Sequence, residues 1–160
     1  MIQLGAKIPP VNITRVTADG TQTLPADQLF ADKKVVLFAV PGAFTPTCSA
    51  THLPGYVMLA DQILAQGVDL IACVSVNDAF VMRAWGESKD AAAICMLADG
   101  GGIFTRALGL EMDTGDFGGV RSQRYVMVID NGSVSLLNVE PPKTFDVSKA
   151  ENLLAALAAR

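Results

Sequence analysis

Three apolar runs constrain this chain more than any other feature. Val35-Val36-Leu37-Phe38-Ala39-Val40 has strand length and no polar alternation, and Val68 to Val76 and Ile94 to Ala98 are similar in character. A strand with one wet face alternates apolar and polar residues. One that is apolar throughout is covered on both faces. The segments between these runs read as helices. Thr47 to Gln66 places Leu53, Val57, Ala60 and Leu64 on one stripe, and Gly67 is suited to close it. Pro54 inside that segment removes a backbone hydrogen bond and predicts a bend. Asp78 is placed to cap a second helix running through Trp85 to Ser88.

The flanks complete the pattern. Ala18-Asp19-Gly20-Thr21 is a turn signal between two weak extended stretches, which predicts an N-terminal β-hairpin. Leu24 to Ala31 and Ile103 to Leu108 read as short helices. Arg124 to Asp130 and Ser133 to Val139 read as strands joined at Asn131-Gly132, the strongest hairpin signal in the chain. Ser148 to Ala159 predicts a final amphipathic helix with Ala150, Leu153, Leu154 and Leu157 on one side. The order is ββ, three βα units, a β-hairpin and a helix. Crossovers of this kind imply an α/β fold with a central mixed sheet flanked by helices. A thioredoxin-like fold satisfies it, and residues 1–160 suit one domain.

Composition narrows the function. Apolar residues make up 51% of the chain, enough for a solid core. The net charge of −4 and the lack of any basic run exclude a nucleic-acid partner held by a basic face. The longest apolar runs, about six residues, are too short to span a membrane. The N-terminus has no secretory pattern, so a soluble, cytoplasmic protein is expected. The only histidine is His52, and the cysteines at 48, 73 and 95 have no zinc spacing. Neither a metal site nor a cofactor is expected. No CxxC is present, and three cysteines do not form a disulfide framework.

Chemistry concentrates in Pro41-Gly42-Ala43-Phe44-Thr45-Pro46-Thr47-Cys48-Ser49, between a buried strand and a helix. Functional groups of open α/β folds gather at such strand ends. Cys48 falls in the first helical turn, where unpaired N–H groups and the helix dipole favour a thiolate. A free thiol is a few per cent ionised near neutral pH. Full ionisation therefore gains about thirtyfold in nucleophile, or about 2 kcal/mol. The rest of any rate enhancement must come from groups that orient a substrate and stabilise its leaving oxygen. The Thr45 hydroxyl is placed to bond a bound oxygen. Pro41 and Pro46 stiffen the loop and shield the sulfur. The missing cation is assigned to Arg124, with Arg121 as the competing choice.

Pro41, Thr45 and Cys48 match the PxxxTxxC signature of the peroxiredoxins. The longer run PGAFTPTCSATHLPGYV, with Ser75 to Val81 and Leu136 to Glu140, resembles the peroxiredoxin-5-type (type II) branch over essentially the whole chain. The resemblance implies a thioredoxin fold with Cys48 as peroxidatic cysteine and Thr45 and Arg124 as its partners. The Thr47 and Cys48 amides would help to hold the peroxide. It also implies that Phe44 and Phe117 line an apolar mouth admitting alkyl hydroperoxides as well as hydrogen peroxide. A homodimer built through loops near the site, with Phe80 at its interface, is implied too.

Attack on a peroxide leaves a sulfenic acid that a thiol must reduce. Some relatives use a resolving cysteine near the C-terminus. This chain has none after Cys95, and Ser148 lies near that position. Two routes remain: an external thiol, glutathione with glutaredoxin or else thioredoxin, or an internal bridge to Cys73 or Cys95. The external thiol is the expected route, and both internal cysteines read as packed strand residues. His52, one turn from Cys48, raises a Cys–His hydrolytic pair, but no third group orients it and a structural role is preferred. A peroxide-sensing switch without turnover and a thiol–disulfide oxidoreductase are the alternative functions.

Overall fold

The computed structural model describes residues 1–160. Its main sheet has seven strands. The centre is parallel: β3 (Lys34–Ala39) pairs with β4 (Leu70–Ser75), and β4 with β5 (Cys95–Ala98). The two β-hairpins close the sides. β1 (Asn12–Thr17) and β2 (Gly20–Pro25) turn at Ala18-Asp19, and β1 adds antiparallel to β5. β8 (Tyr125–Asp130) adds antiparallel to β3, and β9 (Ser133–Val139) follows it. Asn131 and Gly132 both take positive φ, +48° and +82°, as a tight two-residue hairpin turn requires.

Alternation along β3 builds two cores. Val36, Phe38 and Val40 face α2 (Leu53–Leu64), α3 (Ala79–Ser88) and α5 (Ala150–Ala158). Val35, Leu37 and Ala39 face α1 (Ala26–Leu29) and α4 (Ile103–Leu108). Each fully buried Leu, Ile or Phe in these layers contributes about 1.5–3 kcal/mol. Asp78 Oδ1 accepts from Val81 N at 2.9 Å and caps α3, worth about 1 kcal/mol.

The structure departs from the sequence reading in four places. Leu24 and Pro25 end β2, which shortens α1 to four residues. A small sheet of β6 (Glu111–Asp113) and β7 (Val120–Ser122) was not anticipated, because three-residue strands are too short to show a period. The helix from Thr47 is not uniform. Cys48–His52 is a π-turn, with Leu53 N donating to Cys48 O, before α2 begins. Pro54 accounts for this. It lacks an N–H and its ring crowds the carbonyl four residues back, so the preceding turn is underwound. Finally, the buried stripe of α2 is Leu53, Tyr56, Ala60 and Ile63, with Leu64 exposed. Tyr56 wins this face by stacking on Phe38 at 4.0 Å and donating its hydroxyl to Ser148 O at 2.7 Å.

Candidate active site

β3 stops because Pro41 has no N–H to continue the ladder. The loop that follows is clamped from the β4–α3 connection, where Asn77 Oδ1 accepts from Ala43 N at 3.0 Å and Ser75 Oγ at 2.6 Å. Phe44 turns the chain with φ +64°. Thr45 O accepts from Ser49 N at 2.9 Å, which makes Thr45 the N-cap, Pro46 the first helical residue and Cys48 the third. The Thr47 and Cys48 amides therefore belong to the turn whose N–H groups lack helical acceptors.

Cys48 has no exposed surface. Arg124 Nη2 donates to Cys48 Sγ at 3.1 Å, and Arg124 Nη1 donates to His52 Nδ1 at 2.8 Å. A guanidinium only donates, so His52 Nδ1 is unprotonated and Nε2 carries the hydrogen. That hydrogen points to Ser148 O at 3.3 Å. Burial and the adjacent Arg124 charge hold the His52 pKa down to about 3, so the ring is neutral at physiological pH. The π-turn brings His52 and Cys48 to the same guanidinium. Phe145 covers this group, 5.0 Å from the His52 ring and 5.6 Å from the Arg124 guanidinium carbon.

A second tier lies behind His52. Glu140 Oε2 accepts from Ser148 Oγ at 2.7 Å, Ser148 N at 2.9 Å and Asp146 N at 2.7 Å, and Oε1 accepts from Thr144 Oγ1 at 3.0 Å. Burial raises the Glu140 carboxyl, but these hydrogen bonds outweigh it and leave the pKa lowered. Glu140 N also donates to Arg124 O at 2.9 Å.

The remaining sequence candidates fall in different places. The Thr45 hydroxyl donates to Gly42 O at 2.6 Å rather than to the sulfur. Arg121 is not at the sulfur. Its Nε donates to Gly118 O at 3.0 Å and its Nη1 to Val76 O at 3.5 Å, joining the β6–β7 tip to the loop after β4. Pro41, Thr47 and Arg124 line a cleft of about 780 Å³, with Met112, Pro142 and Phe145 on its walls. Phe117, 83% exposed, lines a smaller pocket of about 220 Å³ with Pro41, Thr45 and Arg121. Phe44 and Phe80 are also exposed. Cys73 is buried on the Cys48 face, and burial raises its pKa well above the ordinary thiol value. Cys95 packs on the opposite face, and burial raises its pKa too. Sequence reasoning missed Asn77, Glu140 and Phe145 as parts of the site, and gave His52 no contact with Arg124 and Ser148 none with His52.

A thioredoxin-like sheet that presents a buried cysteine at a helix start, under a guanidinium, defines a thiol-based redox enzyme. Residues 3–154 match the Redoxin family model. The chain belongs to the peroxiredoxins, in the peroxiredoxin-5-type (type II) branch, and is a thiol-dependent peroxidase. It is 52% identical to Peroxiredoxin-2E-2, chloroplastic, of Oryza sativa subsp. japonica, over 98% of this chain and 72% of that one. It is 64% identical to the reduced Prx3 of Vibrio vulnificus solved in complex with hydrogen peroxide, at a TM-score of 0.96 over 98% and 99% of the two chains. Peroxiredoxin 5 of Alvinella pompejana is 36% identical, with a TM-score of 0.87 and full coverage of both chains.

Proposed function

We propose that Cys48 is the peroxidatic cysteine and that Arg124 is the group that makes its reaction fast. The observation carrying this reading is the 3.1 Å hydrogen bond from the guanidinium to the sulfur at the first turn of a helix. A permanent positive charge at that distance stabilises a thiolate and then the charge developing on the peroxide. The thiolate attacks one peroxide oxygen. An S–O bond forms, the O–O bond breaks, and the leaving oxygen departs as water or alcohol after gaining a proton. Cys48 is then a sulfenic acid. The Thr47 and Cys48 amides hold the peroxide as donors. The Thr45 hydroxyl, committed as donor to Gly42 O, offers its lone pairs to the peroxide hydrogen.

The cleft of about 780 Å³ supports alkyl hydroperoxides as substrates beside hydrogen peroxide, with Pro41 and Thr47 in its lining. Phe117, in the smaller pocket that shares Pro41 with the cleft, and exposed Phe44 would add apolar contacts beside it. The reductant in this reading is an external thiol, glutathione with glutaredoxin or else thioredoxin. Its sulfur attacks the sulfenic acid, an S–S bond forms and water leaves. A second thiol then releases Cys48. The burial of Cys73 and the placement of Cys95 across the sheet support the external route over an internal bridge. We assign the protein to the cytoplasm as one domain, and to a homodimer that covers exposed Phe80. Sedimentation as a monomer at micromolar concentration would reject the dimer.

The test is peroxide consumption by the wild type, Cys48→Ser and Arg124→Lys with each reductant. Cys48→Ser abolishes turnover. Arg124→Lys loses about 10²–10³-fold in kcat/KM for peroxide, the usual cost of losing an oxyanion donor. An Arg124→Lys enzyme within threefold of wild type would reject the assignment. Turnover with thioredoxin and none with glutathione and glutaredoxin would reject the reductant preference.

A further inference from the structure

We propose that Glu140 is a positioning residue for peroxide reduction, setting the Arg124 guanidinium through Ser148 and His52; this rests on the reading of Arg124 given above. The geometry is a continuous chain of hydrogen bonds. Glu140 Oε2 takes both the amide and the hydroxyl of Ser148. The Ser148 carbonyl takes His52 Nε2–H and the Tyr56 hydroxyl. His52 Nδ1 takes Arg124 Nη1, and Arg124 Nη2 reaches Cys48 Sγ. Every bond has a defined direction. The guanidinium fixes the His52 tautomer, and that tautomer needs an acceptor on its far side.

The Ser148 carbonyl is that acceptor, and its place is not fixed by regular structure. Ser148 lies in the irregular segment between β9 and α5, where the chain has no sheet or helix ladder to hold it. The carboxylate of Glu140 replaces that ladder. It accepts one side-chain and two backbone donors from Asp146 and Ser148 on one oxygen, and Thr144 on the other. The same residue is tied to Arg124 from behind through its own amide. Glu140 therefore holds both ends of the bracket in which the guanidinium sits, and it also seats Phe145 over Arg124 and His52. Glu140 is only 5% exposed, and its carboxylate takes four donors from this one segment.

A guanidinium displaced by about 1 Å still neutralises a thiolate, but it no longer meets the peroxide oxygen in the right direction. Misplacement of this size costs on the order of 100-fold in rate. Loss of Glu140 is thus read in the reaction with peroxide and not in the general reactivity of the sulfur. The experiment is stopped-flow oxidation of the reduced protein by hydrogen peroxide, followed by Trp85 fluorescence, because Trp85 Nε1 donates to Ser49 Oγ in the π-turn at 2.9 Å. Alkylation of Cys48 by neutral chloroacetamide is measured in parallel.

Glu140→Ala is expected to slow oxidation about 10- to 100-fold while alkylation stays within threefold. Ser148→Ala keeps the carbonyl, and it is expected to lose about three- to tenfold. Glu140→Gln, which retains an acceptor, recovers most of the rate. Asn152→Ala removes two hydrogen bonds to Asp146 in the same segment without touching the chain, and it stays within twofold. Should Glu140→Ala fail to fold, Ser148→Ala and Glu140→Gln carry the test. The proposal is overturned if Glu140→Ala and Ser148→Ala oxidise within twofold of wild type while Arg124→Lys is slow. It is equally overturned if alkylation shifts tenfold or more alongside oxidation, or if Asn152→Ala is as slow as Glu140→Ala. A fast Arg124→Lys enzyme would instead remove the reading on which it rests.

Discussion

A neutral histidine between a guanidinium and a carbonyl has a thermodynamic signature. Folded His52 resists protonation down to about 3, whereas an unfolded histidine titrates near 6.5. Between these values the unfolded chain binds the extra proton, so stability falls as pH falls through the window. The loss is about 1.4 kcal/mol per pH unit from this group and levels off below about 3. Above about 6.5 both states are neutral and His52 contributes no slope. Urea midpoints measured between about pH 6.5 and about 4 should decline more steeply for the wild type than for His52→Asn, which does not titrate. Equal slopes would mean that the ring is not held neutral. At this scale Cys48, Pro41 and Thr45 were legible because the spacing of their motif is short and local. The direction of the Thr45 hydroxyl was not, because a turn closing on Gly42 O competes for its hydrogen. Arg124 was separable from Arg121 by its place at the mouth of β8, while the role of Arg121 depends on a β6–β7 tip that composition does not reveal.

At the scale of elements the π-turn at Cys48–His52 decides what the helix presents. Pro54 is its cause, so Pro54→Ala should let the Ala50 carbonyl take a regular helical partner. Thermal stability is then expected to hold or rise, because a proline defect is removed. The peroxide reaction should slow by about tenfold as Cys48 and His52 turn away from their shared guanidinium. A melt and a stopped-flow trace on one variant check both halves, and a variant with unchanged peroxide kinetics would separate the turn from the chemistry. Helix, strand and hairpin identity were read correctly where periods were long or turn residues strong, as in β3, α3 and the Asn131-Gly132 hairpin. Registers were less accessible. Counting outward from Asn131-Gly132 sets Val139 across from Arg124. The ladder instead shifts by one residue at Val128/Ile129, with Ser135 as the extra residue, so Tyr125 faces Val139 and Glu140 comes beside Arg124.

For the whole molecule the sheet acts as a partition. Cys48 and Cys73 lie on the side of α2, α3 and α5, and Cys95 on the side of α1 and α4. A bridge from Cys48 to Cys95 would have to cross a sheet whose central strands β3, β4 and β8 are buried on both faces. Cys95→Ser should therefore turn over peroxide with glutathione within twofold of wild type, and mass spectrometry after one equivalent of peroxide should show no 48–95 linkage. Detection of that linkage in folded protein would contradict the partition. The two-layer architecture was legible from the unbroken apolar run of β3, which has to be covered twice. Which cysteine falls on which side follows from period-two alternation once the strand limits are known, and those limits moved by one or two residues.

The extra residue at Ser135 works like a shifted reading frame written in three dimensions. Pair that residue into the ladder instead and every strand, helix and turn of the molecule could persist, yet an aliphatic side chain, Val139, would inherit the rung where an acid now stands. Damage of that kind leaves no mark on the PxxxTxxC stretch, and a survey confined to the neighbourhood of the sulfur would pass over it.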